Sequence, residues 1–339
     1  MVRYYLFLLL FIGFIGCSNK DKVEPSVPSN LVIEYNISTA KDGKVSFTAK
    51  ANNAVSYEFD FGNGDHELSS SGVLVYTYQV GGKYTVTVKA QSASGQTVSK
   101  SQEITVERTS SLIWEDNFDG KGAPDPGKWG YDIGTGTDGW GNNELQYYTN
   151  RLENATVSDG TLKIKLKKES YSGSAYTSAR ILTQNKFSFK YGKVEIRAKI
   201  PEGKGTWSAG WMLGANFGTV GWPICGEIDI IEHVGNELNR IHGTLHYPGH
   251  SGGQAVTKST MLPTATTAFH VYSLEWTADA IKFAIDGEVF QTFPNDSSKP
   301  FNQDFFIILN LAMGGNFGGS VDPAITEAVY EIDYVRVYN

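Results

Sequence analysis

Apolar and polar residues alternate with period two over much of this chain. Leu162, Ile164 and Leu166 alternate with Lys163, Lys165 and Lys167, and Val194, Ile196, Ala198 and Ile200 alternate with Glu195, Arg197 and Lys199. Side chains two apart share a face of a strand, so each run predicts a strand with one face on a core and one in water. The run from Lys83 to Lys89 does the same between a Gly81-Gly82 turn and a Ser94-Gly95 turn. Ile281 to Phe290 reads as a hairpin closed by Asp286-Gly287. No stretch sustains a helical period. Strands joined by short turns over this length must close as packed sheets or a barrel, so the pattern predicts an all-β protein.

Composition narrows this. The chain has 339 residues, a length that suggests two domains. With 37 glycines, 13% aromatic and 19% charged residues, it is neither a disordered tail, a coiled coil nor a multi-span membrane protein. The net charge of −7 carries no basic footprint, so no nucleic-acid partner is expected. Two cysteines, Cys17 and Cys225, permit no disulfide framework. Arg3 precedes an apolar run of 12 residues, Tyr4 to Ile15. That is shorter than the ~20 residues a spanning helix needs and reads as a signal-peptide core. It ends in Phe14-Ile15-Gly16-Cys17, which resembles a bacterial lipobox. The resemblance implies removal of residues 1–16, lipid on Cys17, and attachment to a membrane of the bacterial cell envelope through that N-terminal lipid. Residues 17–30 are polar and contain two prolines, the composition of a tether.

All seven tryptophans lie at or after Trp114, and five of the six histidines follow it too. A small structural module, 31–107, therefore precedes a ligand-handling one, 112–339. In the first, Tyr57 to Asp65, Tyr76-Thr77-Tyr78 and Gly82 to Val86 resemble the PKD domain, an immunoglobulin-like β-sandwich, with Asp60-Phe61-Gly62-Asn63-Gly64 in place of the family's usual DFGDG.

The chemistry concentrates in Gly221-Trp222-Pro223-Ile224-Cys225-Gly226-Glu227-Ile228-Asp229-Ile230-Ile231-Glu232-His233. Glu227 and Asp229 share a strand face, with Ile228 and Ile230 on the other. Glu232, at i+5, joins that face if a β-bulge near Ile230-Ile231 supplies one extra residue. Two carboxyls facing one cleft suit glycoside hydrolysis, with retention where they approach to ~5 Å. The strand spacing is longer than that, so the sheet is expected to be concave. Asp229, between them, can share a proton with Glu227 and couple their titration. Cys225, in an acid-lined setting, reads as packing.

The segment from Trp222-Pro223 to Glu232 resembles the active-site strand of glycoside hydrolase family 16, in the bulged E-x-D-x-x-E form of laminarinases. The resemblance covers most of 112–339 and implies a jelly-roll β-sandwich whose concave cleft binds a polysaccharide. It implies Glu227 as nucleophile, Glu232 as acid/base and Asp229 as helper. Gly141 to Tyr148 is similar to a family loop in which the residue at Asn142 bonds sugar hydroxyls, and Ser178-Ala179-Arg180-Ile181 to a strand whose Arg does the same. Trp207 to Leu213 is similar to a W-P-A-F-W-M-L segment, with Ser and Gly for Pro and Phe. Trp207, Trp211 and Trp222 are then faces for sugar rings. Thr244-Leu245-His246-Tyr247 is similar to a strand whose His lies beside the acid/base. Leu309-Asn310 to Gly319 is similar to the family's late strand and loop, with Phe317 where Trp is frequent, and Asn310 is taken as a substrate-binding residue. The resemblance also implies a structural Ca²⁺ ion on the convex side, at Asn117, Gly160 and Asp333. No organic cofactor is expected.

The expectation is a monomeric, lipid-anchored, retaining endo-β-1,3-glucanase, with mixed-linkage β-1,3-1,4-glucan as a further substrate. The alternatives are a non-catalytic surface glycan-binding lipoprotein and a galactan-directed hydrolase of the same family.

Overall fold

The computed structural model describes residues 27–78 and 80–339. The signal segment 1–16, the lipidation site Cys17 and most of the tether lie outside the described residues.

The first module is two small antiparallel sheets. Ser29–Ile37, Lys44–Asn52 and Val73–Thr77 form one; His66–Ser69, Ser56–Asp60, Gly82–Gln91 and Thr97–Val106 form the other. The alternating side chains Tyr84, Val86 and Val88 turn inward onto Phe47, Phe59 and Phe61. The first strand begins at Ser29, two residues inside the expected tether. The turn after Asp60 uses Gly62 at φ +73, where a Cβ would fall 2.6 Å from the Thr85 carbonyl oxygen. Asp60 accepts the Gly62 N–H at 2.9 Å and Asp65 accepts the Tyr76 hydroxyl at 2.5 Å, so both turn acids are occupied in local structure.

The second module is a two-layer sandwich. Its ten-stranded sheet is built around Thr161–Tyr171, Gly192–Lys199 and Glu327–Tyr338. Its seven-stranded sheet runs in the order Val256–Met261, Arg240–His246, Glu227–Val234, Thr206–Gly214, Phe305–Met313, Arg180–Leu182, Gly130–Asp132. Leu162, Ile164, Leu166, Val194 and Ile196 from the first sheet meet Met212, Ile228, Leu309 and Leu311 from the second in one core. The lysines that alternate with the first set are half-buried on the outer face. Asp286 and Gly287 close their hairpin at φ +51 and +88, the left-handed pair a two-residue turn of this hand requires. The two modules touch where Val80 packs on the large core and Lys190 Nζ lies 3.4 Å from Asp65 Oδ1.

Candidate active site

The site is built on the strand Glu227–Val234, third in the seven-stranded sheet. On one side Trp211 pairs with Asp229 but Gly210 with Ile231, so Ile230 has no partner. On the other side Thr244 pairs with Asp229 and His242 with Glu232. This is the expected bulge. It turns Ile228, Ile230 and Ile231 into the core and leaves Glu227, Asp229 and Glu232 on the open face. Two adjacent isoleucines can both face inward only because the ladder skips a residue there.

Asp229 and Glu232 are buried, 3% and 7% exposed, and Glu227 is partly exposed at the mouth of the site. Burial pushes all three carboxyls up. For Glu227 the charge of Asp229 adds to it, opposed by His246; for Asp229 the charge of Glu232 adds to it. For Glu232 the hydrogen bond from Thr244 is the main opposing influence. Carboxyls this close titrate in one another's field. Glu227 and Asp229 are close enough for each to act on the titration of the other.

Glu232 receives two donors: the Trp207 indole N–H at 3.1 Å on Oε1 and the Thr244 hydroxyl at 3.0 Å on Oε2. His246 lies against Glu227 and Asp229, and its charge also acts on Glu232. The register places it opposite Glu227, with Nε2 3.6 Å from Glu227 Oε1 and 3.3 Å from Asp229 Oδ2. Its Nδ1 accepts the Gly252 N–H at 3.1 Å, so a neutral ring carries its proton on Nε2, facing the two carboxylates. Thr244, two residues earlier on the same face, takes the place beside Glu232. Trp222, 45% exposed, overhangs His246 with ring centres 5.8 Å apart. Cys225 is buried in a satellite cluster with Leu182, Leu213, Phe306 and Ile308, and burial pushes its thiol up to about 11, so it packs and does not react.

The other expected sugar-binding residues converge on one side of the acids. Trp211 donates its indole N–H to Asn310 Oδ1 at 2.8 Å, Asn310 donates to the Tyr148 hydroxyl at 3.0 Å, and Tyr148 donates to Glu144 Oε2 at 3.1 Å. Asn142 also favours the ionised Glu144 carboxyl, against the burial that raises it. Arg180 lies between two indoles, 4.7 Å from the ring centre of Trp140 and 4.8 Å from that of Trp211. Asp132 holds its Nε at 2.9 Å as an ion pair whose N–H is not aimed at the oxygen. The loop Gly139–Asn143 carries Asn142 and packs on Gly315. Trp140 and Asn143 within it, and Asp138 just before it, sit at φ +56, +57 and +49, a cluster of left-handed non-glycine residues of the kind that marks working loops. Trp140, Glu144, Tyr148 and Thr244 were not singled out from sequence. Thr244 was legible, since it shares a face with His246 by period two; the others meet the site only through packing of distant strands.

Asn117, Gly160 and Asp333 line one pocket of about 670 Å³ on the opposite sheet, together with Asp119 and Asp159. These are hard oxygen donors, the chemistry Ca²⁺ takes. Two guanidiniums share them: Arg197 is paired with Asp333, and Arg336 donates to Asn117 Oδ1 at 2.9 Å.

A strand presenting two carboxyls on either side of a buried third, one of them held by two donors, on the open face of a β-sandwich lined by tryptophan, defines a two-carboxyl glycosidase. The chain belongs to glycosyl hydrolases family 16, whose sequence pattern matches residues 142–336; that of the PKD domain matches residues 28–107. It is 47% identical to a β-glucanase of Rhodothermus marinus over 243 residues, 67% of this chain and 84% of that protein. It is 37% identical to a glucan endo-1,3-beta-glucosidase of Cryptopygus antarcticus over 250 residues, 66% of this chain and 90% of that one. The crystal structure of the laminarinase from Rhodothermus marinus aligns with a TM-score of 0.65 at 46% identity, covering 68% of this chain and 98% of that one.

Proposed function

We propose that the protein is a retaining endo-hydrolase of β-1,3-glucan, with mixed-linkage β-1,3-1,4-glucan as a second substrate. The observation that carries this is the single carboxyl-bearing face of Glu227–Val234, in a chain whose relatives are laminarinases and endo-1,3-β-glucanases. Glu227 attacks the anomeric carbon while Glu232 gives its proton to the leaving oxygen. Asp229, holding a proton against Glu227, and the Nε2–H of His246 keep the Glu227 carboxyl oriented. Burial keeps Glu232 protonated for the first step. The donors Trp207 and Thr244 stabilise its carboxylate for the second, in which it activates the water that releases the sugar from Glu227. Trp211, Asn310, Arg180 and Asn142 hold the sugars on the side that stays bound, and Trp222 covers the site.

Product analysis on laminarin, barley glucan and agarose, run side by side, tests this: β-1,3-linked oligosaccharides from laminarin and β-1,4-containing oligosaccharides from barley glucan, both with retained configuration, are expected. Cleavage of agarose alone would replace the reading with a galactan-directed one. The chain acts as a monomer tethered by a lipid on Cys17 to the cell envelope; an inhibitor of lipoprotein signal peptidase should then leave an uncleaved precursor. Asn117, Gly160 and Asp333 hold a structural Ca²⁺, with Arg197 giving up part of its hold on Asp333. Removing calcium with a chelator is expected to lower Tm without changing KM, and an unchanged Tm rejects it.

A further inference from the structure

The first module carries none of the acids, and its joint with the second is built in an unusual way. The chain stays tied to the first module as far as Thr109: Arg108 Nη1 donates to the Tyr78 carbonyl at 2.6 Å, and the Thr109 N–H donates to the Lys41 carbonyl at 2.9 Å. Ser111 is already tied to the second. Its hydroxyl donates to Asn339 Oδ1 at 2.6 Å, and the Asn339 N–H donates back to the Ser111 carbonyl at 3.1 Å. Ser110 alone separates the two anchored residues. A swinging joint needs a run of unconstrained residues, such as a Gly/Ser linker supplies. Here the backbone is held on both sides of a single residue.

The surfaces beside this joint meet through several elements. Val80 belongs to the first module by sequence but packs against the core of the second. The Tyr84 hydroxyl fixes it there, donating to the Val80 carbonyl at 2.7 Å. Asp65 is held from its own side by the Tyr76 hydroxyl and faces Lys190 of the second module. Tyr191, next to Lys190, is buried and packs edge-on against Trp276 at 5.2 Å. Burial pushes the Tyr84 and Tyr191 hydroxyls up, and in each an acid of the other module adds to the effect: Asp279 for Tyr84, Asp65 for Tyr191. Contacts of modest size between domains ordinarily leave them free to move, and a half-exposed ion pair is weak by itself. The pinned linker changes the balance. It keeps the two surfaces at a high effective concentration, so a weak contact is enough to hold them together.

We propose that the first module is a fixed brace, docked on the second through Val80, Tyr84 and Asp65, which sets the direction the cleft faces relative to the N-terminal tether. The tether enters this module at the strand Ser29–Ile37. On the other side of the joint, Lys190 and Tyr191 lead into Gly192–Lys199, and Asp279 lies in the turn between His270–Trp276 and Ala280–Ile285. All three of these strands belong to the ten-stranded sheet. Docking there leaves the acid-bearing face of the seven-stranded sheet uncovered. The module thus acts on how the cleft is presented and not on the chemistry within it.

The test is ¹⁵N relaxation of backbone amides in the full chain, comparing Gly82–Gln91 of the first module with Gly192–Lys199 of the second. A docked brace gives both strands the same overall tumbling time. A shorter time for the smaller first module in the wild type overturns the proposal. The double variant Val80→Asp, Lys190→Glu puts a charge against the apolar contact and reverses the ion pair. It is expected to shorten the first module's tumbling time, while the amide shifts within each module and the tryptophan fluorescence stay as they were. A variant whose two modules still tumble together removes Val80 and Lys190 as the contact and with them the docking surface assigned here. Turnover of soluble laminarin is expected to match the wild type in this variant. A large loss of turnover in a variant that keeps its fold would place the module in the chemistry and end the presentation role.

Discussion

His233 follows the acid Glu232 but points the other way. It is fully buried, its Nε2 accepts the Asn239 N–H at 3.1 Å, and its Nδ1 has no partner. Burial, with a smaller contribution from the nearby His242, holds its pKa down to about 4 against an ordinary 6.5. The folded protein therefore keeps a neutral ring at pH values where the unfolded chain has already taken a proton. Stability associated with this group is complete above pH ~6.5, declines as pH falls from there to ~4, and changes no further below. The difference between about 4 and 6.5 is worth roughly 3 kcal/mol at the acid end. For a domain of this size that is on the order of 6–12 °C in Tm.

The perturbation is His233→Gln, whose side-chain oxygen can accept the Asn239 N–H but cannot be protonated. Urea unfolding followed by tryptophan fluorescence reads the second module alone, because all seven tryptophans lie there. Other groups also titrate, so the quantity to compare is the difference between variant and wild type. The variant is expected to lose roughly 3 kcal/mol less than the wild type between pH 7 and pH 4. Its absolute stability at pH 7 is not the readout, since the substitution also removes an unpaired Nδ1–H. Parallel pH curves for the two proteins would refute the reasoning.

Three further outcomes follow from the site. Glu227→Gln should lower kcat by roughly 10⁴–10⁶; because burial raises the Glu227 pKa, its folded state is favoured below pH ~4.5 and penalised above, so the variant should also melt higher at pH 7 and no higher at pH 3. Trp207→Phe removes a donor that favours the ionised form of Glu232, so the alkaline limb of kcat/KM should move to higher pH; a limb that stays in place removes Trp207 from proton control. Arg180→Lys loses the guanidinium held over the Trp140 and Trp211 rings and should raise KM about tenfold with a smaller effect on kcat, measured on laminari-oligosaccharides.

The elements legible in sequence are those with one wet face. Lys163, Lys165 and Lys167 mark the outer side of their strand, and Glu195, Arg197 and Lys199 do so for theirs, because half-burial writes itself as alternation. Phe305–Met313 carries no such mark: it is buried on both faces, and its run FFIILNLAM has no period to read. The acid face was legible because only a bulge reconciles E-x-D-x-x-E with one surface. The neighbours of each acid were not. Whether His246 faces Glu227 or Glu232 depends on the register between two strands, a property of the turn and loop between them. The line from Trp211 through Asn310 and Tyr148 to Glu144 joins residues more than 160 positions apart in the chain, and local pattern is silent on such contacts.

The bulge also bears on how this strand tolerates its own chemistry. Three carboxyls with raised pKa values oppose folding at neutral pH, and they sit within six residues. Directly beneath them Ile228, Ile230 and Ile231 are all but fully buried. At about 1.5–3 kcal/mol each, that burial contributes roughly 5–9 kcal/mol, an upper estimate. A regular strand of the same length would turn one of these isoleucines outward or one acid inward. The extra residue thus does two things at once: it keeps the acids together above the sheet, and it adds an apolar anchor below the point where their repulsion is greatest. A substitution of Ile230 by a small residue acts on both, which is why the cost of charge at this site cannot be separated from the packing of the core under it.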